Sequence, residues 1–213
     1  MSSSVRLDPE SQAPLDQLLQ FLPGGFNAVP DIVARRATVE QMLAAMPAPE
    51  NPNVVTQDRA VPGPEGEPDI SVRIYRPVGL DGPLPGIYFI HGGGMVLGTV
   101  AGEDATATLV CDEVKAVVVS VEYRLAPEHP HPAPVEDCYA GLVWMAEHAD
   151  ELGIDPERVA IYGGSAGGGL AIGTALLARD RSGPRLSFMM PIYPMIDDTN
   201  TTASSMEISD VGI

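Results

Sequence analysis

A serine flanked by glycines stands where an apolar run meets an apolar helical pattern. Residues 163–168 read Gly-Gly-Ser-Ala-Gly-Gly. A G-x-S-x-G sequence at a strand-to-helix junction predicts a sharp, strained turn that raises the serine hydroxyl above a sheet. A Cβ atom at Gly163 or Gly167 is expected to collide with the neighbouring helix and strand. The segment predicts Ser165 as a nucleophile and the N–H of Ala166 as a donor to an anionic oxygen, with a plain structural turn as the alternative.

A second glycine run, His91-Gly92-Gly93-Gly94, follows the apolar run 86–90. Consecutive glycines let the backbone approach a ligand closely and turn successive N–H groups to one side. An oxyanion is stabilised best by donors that are fixed before its charge develops. Beside the serine turn, this run predicts an oxyanion loop. Alone, it also fits a glycine turn whose N–H groups face water.

Strand and helix patterns alternate from residue 54 onward. Two half-solvated strands on either side of a Pro/Gly turn predict a hairpin, and four short apolar runs predict strands covered on both faces. The predicted strands are 54–61, 70–76, 86–90, 116–121, 159–162 and 186–192, and the predicted helices are about 102–114, 134–150 and 166–181. This alternation predicts an α/β protein with a mostly parallel, doubly wound sheet and an antiparallel N-terminal hairpin. That order is typical of the α/β-hydrolase fold.

Residues 14–46 show helical periodicity on both sides of a Pro-Gly-Gly break at 23–25. Their apolar stripe comprises Leu15, Leu18, Leu19, Leu22, Val39, Met42, Leu43 and Met46. Such a stripe indicates core packing first. Its second interpretation is a helical cap that folds over the serine and lines an acyl pocket. We therefore divide the chain into N-terminal cap helices at 1–50 and a partial hydrolase core at 51–213.

A third motif occupies residues 123–130, which read Tyr-Arg-Leu-Ala-Pro-Glu-His-Pro. With the two glycine motifs, in this order and spacing, it makes about residues 30–200 resemble the hormone-sensitive-lipase-like esterases, the bacterial family IV carboxylesterases. The resemblance implies that Ser165 is the nucleophile and that the oxyanion hole is formed by the N–H groups of Gly93, Gly94 and Ala166. It also implies that His91 and Gly92 support the oxyanion loop.

The chain departs from that family in three places. Gly164 stands before the serine, where Asp or Thr is common, and Met95 stands where a bulky aromatic residue is frequent. The largest departure concerns the base, because the order in α/β-hydrolases is serine, acid, histidine. All four histidines, His91, His129, His131 and His148, precede the serine. We expect the triad acid and histidine on sequence beyond residue 213.

The apolar segment 186–196 is expected to leave an uncovered sheet edge, which a homodimer would cover. The net charge of −17 disfavours binding to nucleic acid or anionic lipid. No apolar run is long enough to span a bilayer, and no signal peptide is visible, so a cytoplasmic protein is predicted. Cys111 and Cys138 are too few for a disulfide framework and are expected to be buried thiols. No metal-ligand cluster or dinucleotide fingerprint is present, so no metal and no cofactor are expected.

Two functions remain open at this point. The first is a carboxylesterase that hydrolyses short-chain acyl esters through an acyl-enzyme on Ser165, while the 213-residue chain alone is inactive. The second is a catalytically silent hydrolase fold that binds a ligand or a partner. A base supplied by a partner chain is a third, weaker alternative.

Overall fold

A computed structural model describes residues 8–25, 28–45 and 51–207. Its contacts divide the chain into two units, Met1–Pro47 with Thr199–Ile213, and Ala48–Asp198. In chain order the elements are α1 (Pro9–Phe21), α2 (Ile32–Ala45), β1 (Val54–Val61), β2 (Ile70–Pro77), β3 (Leu84–Ile90), α3 (Asp104–Val114), β4 (Val117–Glu122), α4 (Ala133–Glu147), α5 (Ala149–Leu152), β5 (Ile154–Gly164), α6 (Ala166–Asp180), β6 (Phe188–Ile192) and α7 (Ala203–Glu207).

All six predicted strands are present, and from residue 54 onward two predicted elements differ from the structure by more than two residues at one end. β5 begins at Ile154 rather than at residue 159, because Ile154 already pairs with Leu84 of β3. Three exposed residues, 156–158, interrupt its apolar pattern, which is why the sequence did not reveal its first half. The predicted helix 134–150 is two helices that meet at His148. The short helix α7 was not predicted.

The sheet has the order β1-β2-β4-β3-β5-β6. β1 and β2 form the predicted antiparallel hairpin, and β2 is also antiparallel to β4. β4, β3, β5 and β6 are parallel, which confirms the predicted α/β class. The chain leaves β3 toward β4 and later returns to the other side of β3 with β5. In open sheets of this kind, ligands bind at the carboxyl ends of the strands beside such a reversal.

Two hydrophobic cores lie on opposite faces of this sheet. One face of β4, with Val117, Val119 and Val121, packs with residues of α4 and α6. On the other face, Val118 packs with Ala107 and other residues around α3. Successive side chains of β4 point to opposite faces of the sheet and so contribute to both cores, as expected for a strand covered on both faces.

β6 forms an edge of the sheet among the described residues, as the sequence predicted. It pairs with β5 on one side. Phe188, Met189 and Met190 are 61%, 42% and 47% exposed. Three consecutive exposed apolar residues on both faces are unusual for a strand that faces water. Whether a second copy of the chain covers this edge stays a prediction.

Both cysteines are free and buried, which confirms the prediction of buried thiols. Burial raises the pKa of Cys111 to about 12, and it raises that of Cys138 well above its usual value. Neither thiol has the thiolate character that cysteine chemistry needs.

The N-terminal unit contains the two predicted helices. Asp8 caps α1 by accepting the N–H of Glu10 at 2.8 Å, and Asp31 accepts the N–H of Ala34 at 2.8 Å near the start of α2. The described members of the predicted stripe are half-buried or buried; they are Leu15, Leu18, Leu19, Leu22, Val39 and Met42. The side chain of Leu43 and the whole of Met46 lie outside the described part of the chain. The division at residue 50 stays a prediction.

A buried ion pair fixes the segment after β4 onto α4. The Asp137 side chain is fully buried, and its Oδ2 accepts the backbone N–H of Arg124 at 2.9 Å. The guanidinium of Arg124 donates to both carboxylate oxygens, from Nη2 at 2.8 Å and from Nε at 2.9 Å. This paired geometry satisfies a charge that would otherwise be costly to bury.

We predict that Asp137→Ala destabilises the protein by about 3 kcal/mol, because it leaves the backbone N–H of Arg124 and the Nε and Nη2 groups of its guanidinium without their acceptor. Urea denaturation of the variant measures this loss. Asp150→Ala, at an exposed aspartate of α5, is the control and should change the free energy of unfolding by less than about 0.5 kcal/mol. Equal effects at the two positions would contradict the prediction.

Candidate active site

Ser165 occupies a strained turn between β5 and α6. Its φ of 55° and ψ of −119° lie outside the regions that L-residues favour. Three backbone hydrogen bonds hold it there. The N–H of Ser165 donates to the carbonyl of Ile192 at 2.9 Å, and the Ser165 carbonyl accepts from Met195 at 2.9 Å and from Gly169 at 3.1 Å. The residues at and after the end of β6 thus help to fix the turn that carries the serine.

The glycines on either side of the serine are required by close backbone contacts. A Cβ atom at Gly163 would lie 2.2 Å from the carbonyl oxygen of Gly167. A Cβ atom at Gly167 would lie 2.2 Å from the carbonyl oxygen of Ile90 in β3. Both collisions were predicted from the sequence, and both are confirmed.

Gly164 is different, because a Cβ atom there would meet nothing closer than the Tyr193 ring at 3.7 Å. Its φ lies outside the positive range that favours glycine. The missing side chain before Ser165 is therefore not demanded by the turn. Tyr193 itself is 78% exposed and lies beside this open position.

The second glycine run lies directly against the serine turn. A Cβ atom at Gly92 would be 3.0 Å from the carbonyl oxygen of Gly164 and 3.8 Å from the Cβ of Ser165. Gly93 and Gly94 have φ values of +116° and +65°, and a Cβ at Gly93 would lie 2.1 Å from the Leu97 carbonyl oxygen. The folded chain thus brings together the two glycine motifs that are about seventy residues apart in sequence.

The three predicted oxyanion donors are unpaired within the described ranges. No described residue accepts a hydrogen bond from the N–H groups of Gly93, Gly94 or Ala166. Ala166 is the first residue of α6, where N–H groups have no partner inside the helix. Unpaired donors at a helix start and a glycine turn are the arrangement that an anionic oxygen needs.

His91 is buried at the end of β3, at 1% exposure. Its Nδ1 lies 2.8 Å from the carbonyl oxygen of Gly92, which can only accept, so Nδ1 carries a proton. Its ring stacks on Tyr123 at 4.2 Å between centroids, and the Tyr123 hydroxyl donates to the His91 carbonyl at 3.0 Å. Burial raises the pKa of Tyr123 well above its usual value, so this hydroxyl stays a donor.

Met95 follows the glycines with a φ of 61° and packs against the larger hydrophobic core. Its carbonyl accepts the N–H of Ala126 at 2.9 Å. Met95, which stands where the family frequently has a bulky aromatic residue, is therefore partly buried and joins the glycine loop to the 123–130 motif.

Two of the other three histidines are exposed, and the third packs on a tryptophan ring. His129 and His131 are exposed in the loop before α4. His148 stacks on Trp144 at the end of that helix, and its Nδ1 lies 2.9 Å from the Trp144 carbonyl oxygen. A cavity of about 860 Å³ is lined in part by Trp144, His129 and His148, but neither Ser165 nor residues 91–94 line it. This cavity is distinct from the serine turn.

Residues 8–25, 28–45 and 51–207 contain no candidate metal site and no candidate membrane-spanning helix. No group of three or more His, Cys, Asp or Glu side chains there is arranged to hold a metal ion. No helix in those ranges combines the length and apolarity needed to cross a bilayer.

Two residues that contact His91 were not predicted from the sequence as part of the site. Glu122 is the last residue of β4 and Tyr123 follows it, and both contact His91 at the start of the oxyanion loop. In the sequence, Tyr123 was noted only as part of the 123–130 motif, and Glu122 was not singled out. The sequence feature that could have revealed them is a carboxylate followed by an aromatic residue at the end of an apolar strand, on the sheet edge where ligands bind.

Comparison with known proteins places this geometry in a family. The profile of the family described as alpha/beta hydrolase fold matches residues 87–211. The chain is 45% identical over 203 residues to carboxylic ester hydrolase LipN of Mycobacterium tuberculosis, and the match covers 93% of this chain and 53% of LipN. It is 41% identical over 186 residues to carboxylesterase NlhH of the same species, covering 87% of this chain and 57% of NlhH.

The solved structure of a bacterial heroin esterase superposes with a TM-score of 0.84 at 41% identity. That superposition covers 94% of this chain and 62% of the esterase. The chain belongs to the α/β hydrolase fold family. Within that family, its resemblance to the hormone-sensitive-lipase-like carboxylesterases is confirmed. The chain spans about half the length of the curated relatives it matches.

We predict opposite effects of alanine at two adjacent glycines. Gly163→Ala should destabilise the fold strongly or prevent folding, because its Cβ would overlap backbone atoms 2.2 Å away. Gly164→Ala should stabilise the protein by about 0.4–1 kcal/mol, since it restricts the unfolded chain without strain in the folded one. Thermal unfolding of both variants measures the difference. If Gly164→Ala lost as much stability as Gly163→Ala, the conclusion that position 164 has room for a Cβ atom would be wrong.

Proposed function

We propose that these residues form the nucleophile-bearing part of a serine carboxylesterase. Ser165 attacks the carbonyl carbon of an ester and forms an acyl-enzyme, which water then hydrolyses. The N–H groups of Gly93, Gly94 and Ala166 stabilise the tetrahedral oxyanion in both steps. The observation that carries the proposal is the contact of the serine turn with a glycine loop whose N–H groups have no other described acceptor.

The reaction needs a base for the serine proton and a carboxylate that orients the base. No histidine follows Ser165 in this sequence. The matched relatives are nearly twice as long as the matched segment, so we place the acid and the histidine on sequence that follows residue 213 in the full-length protein. The 213-residue chain alone is expected to be inactive.

Short-chain acyl esters are the proposed substrates. Several relatives are named as esterases, and the heroin esterase is named for an ester of a small molecule. The helices at residues 1–50 stay a predicted cap, with core packing as the first interpretation of their apolar stripe. A cytoplasmic location and a homodimer through β6 stay predictions from the sequence.

The alternative is a catalytically silent member that binds a ligand without turning it over. One observation favours this alternative: no histidine follows Ser165 within the 213 residues. Against it stands the strained backbone of Ser165, because a binding protein has no chemical need to hold a serine at a φ of 55°.

We predict that the full-length protein hydrolyses p-nitrophenyl acetate and butyrate, and that Ser165→Ala reduces kcat at least about 10³-fold by removing the nucleophile. A spectrophotometric assay measures release of p-nitrophenolate. The matched control is Ser182→Ala, at an exposed serine after α6, which should leave the rate unchanged. Turnover retained in Ser165→Ala would refute the proposal.

Labelling with a fluorophosphonate probe separates the esterase from the silent alternative. An activated serine reacts with the probe, so the intact protein should be labelled at Ser165 and the Ser165→Ala variant should not. A folded full-length protein without labelling and without turnover would favour the silent fold.

A further inference from the structure

Glu122 makes two contacts with the loop that carries the oxyanion glycines. It is the last residue of β4, the strand next to β3. Its Oε2 accepts the backbone N–H of Val100 at 2.8 Å. Its Oε1 lies 3.6 Å from Nε2 of His91, which is an ion-pair distance when the ring is protonated. One carboxylate thus reaches both the first and the last residue of the segment 91–100.

The segment between those two contacts is rich in glycine. It includes Gly92, Gly93, Gly94 and Gly98, and three of these four have a positive φ. Glycines lose more conformational freedom on ordering than other residues, so a loop built from them needs fixed ends. Internal turns are formed when the N–H groups of Val96 and Leu97 donate to the Gly93 carbonyl at 3.1 Å and 2.8 Å. These turns shape the loop, and near its middle the Met95 carbonyl accepts the N–H of Ala126 at 2.9 Å.

His91 is held in the orientation that directs Nε2 toward this carboxylate. Nδ1 donates to the Gly92 carbonyl, and the ring is stacked on Tyr123. A Cβ atom at Gly98 would lie 2.7 Å from His91 Nδ1, so the returning arm of the loop closes over the ring. Nε2 is buried and has no hydrogen-bond partner among the described residues. Glu122 is the polar group that faces it.

We propose that Glu122 is a positioning residue for the oxyanion hole: its side chain fixes both ends of the loop 91–100 and thereby sets the positions of the Gly93 and Gly94 N–H groups. The inference rests on the proposed esterase function for its kinetic consequence. Donors stabilise a transition state only when they are fixed before the charge develops, and misplacement by about 1 Å can cost about 10²-fold in rate. Loss of the Glu122 contacts should therefore act on kcat and spare KM.

The length of the side chain, rather than its charge, is the property that this role requires. Gln has the same length, so its amide oxygen can accept from the Val100 N–H while its NH₂ group faces Nε2 of His91. Asp keeps the charge but is one methylene shorter, so it cannot span both contacts. The pair Glu122→Gln and Glu122→Asp consequently separates geometry from charge.

The experiment compares three variants of the full-length protein, Glu122→Gln, Glu122→Asp and the control Glu113→Ala, an exposed glutamate on α3. With p-nitrophenyl butyrate we expect E122D to lose about 10- to 100-fold in kcat with KM within about twofold. We expect E122Q to stay within about fivefold of the wild type, and E113A to match it. A loss in E122Q equal to that in E122D, or a loss that appears only in KM, would overturn the proposal.

Hydrogen–deuterium exchange gives a second readout that does not depend on turnover. Exchange of backbone amides in residues 92–100 should rise in E122D, while exchange in the strands β3 and β4 should stay the same. Unchanged exchange in that loop would overturn the positioning role even if the enzyme is active. A wild-type protein that shows no turnover, together with raised exchange in E122D, would instead refute the esterase function and leave the role of Glu122 in place.

Discussion

The close approach of the serine turn to the end of β3 is the constraint on which the site depends. The carbonyl oxygens of Ile90 and His91 lie within 2.2 and 2.5 Å of where a Cβ of Gly167 would be. Only glycine allows the first turn of α6 to come this near to the neighbouring strand. Because the helix start and the strand end meet there, Ser165, the N–H of Ala166 and the glycine loop after β3 share one edge of the sheet. The sheet order and the two hydrophobic cores hold β3 and β5, which lead into these two loops, side by side.

Backbone groups, and not side chains, form most of the predicted catalytic surface. The oxyanion donors are peptide N–H groups, and the serine is held by hydrogen bonds of its own N–H and C=O to residues around the end of β6. Side chains enter mainly as supports: Tyr123 and Glu122 contact the histidine that precedes the glycines, and Asp137 anchors the segment that follows. The segment at the end of β4 thus has a physical role, since three successive residues, 122–124, connect the glycine loop and α4 to the same strand end.

Much of this could be predicted from local pattern. The alternation of apolar runs and helical stretches predicted the strands, and the glycine spacing predicted the collisions at Gly163 and Gly167. The sequence was less informative where the pattern is interrupted. Three exposed residues hid the first half of β5, and the stacking of Trp144 on His148 at a helix end was not visible in the periodicity that predicted one continuous helix. Gly164 departs from the family pattern, and the structure places it at the end of β5, where an added Cβ would meet nothing closer than 3.7 Å.

The sequence by itself determined the class of fold, the serine turn and the glycine loop, because each depends on residue types at short spacing and on steric rules that act over a few residues. Only the tertiary structure decided which strands are neighbours and which side chains support the loop. Glu122 ends β4 and His91 directly follows β3, 31 residues earlier in the sequence. Their contact exists because β3 and β4 pair in parallel with Ile90 opposite Val121. Strand register of this kind results from burial across the whole sheet, so no local pattern in the chain specifies it.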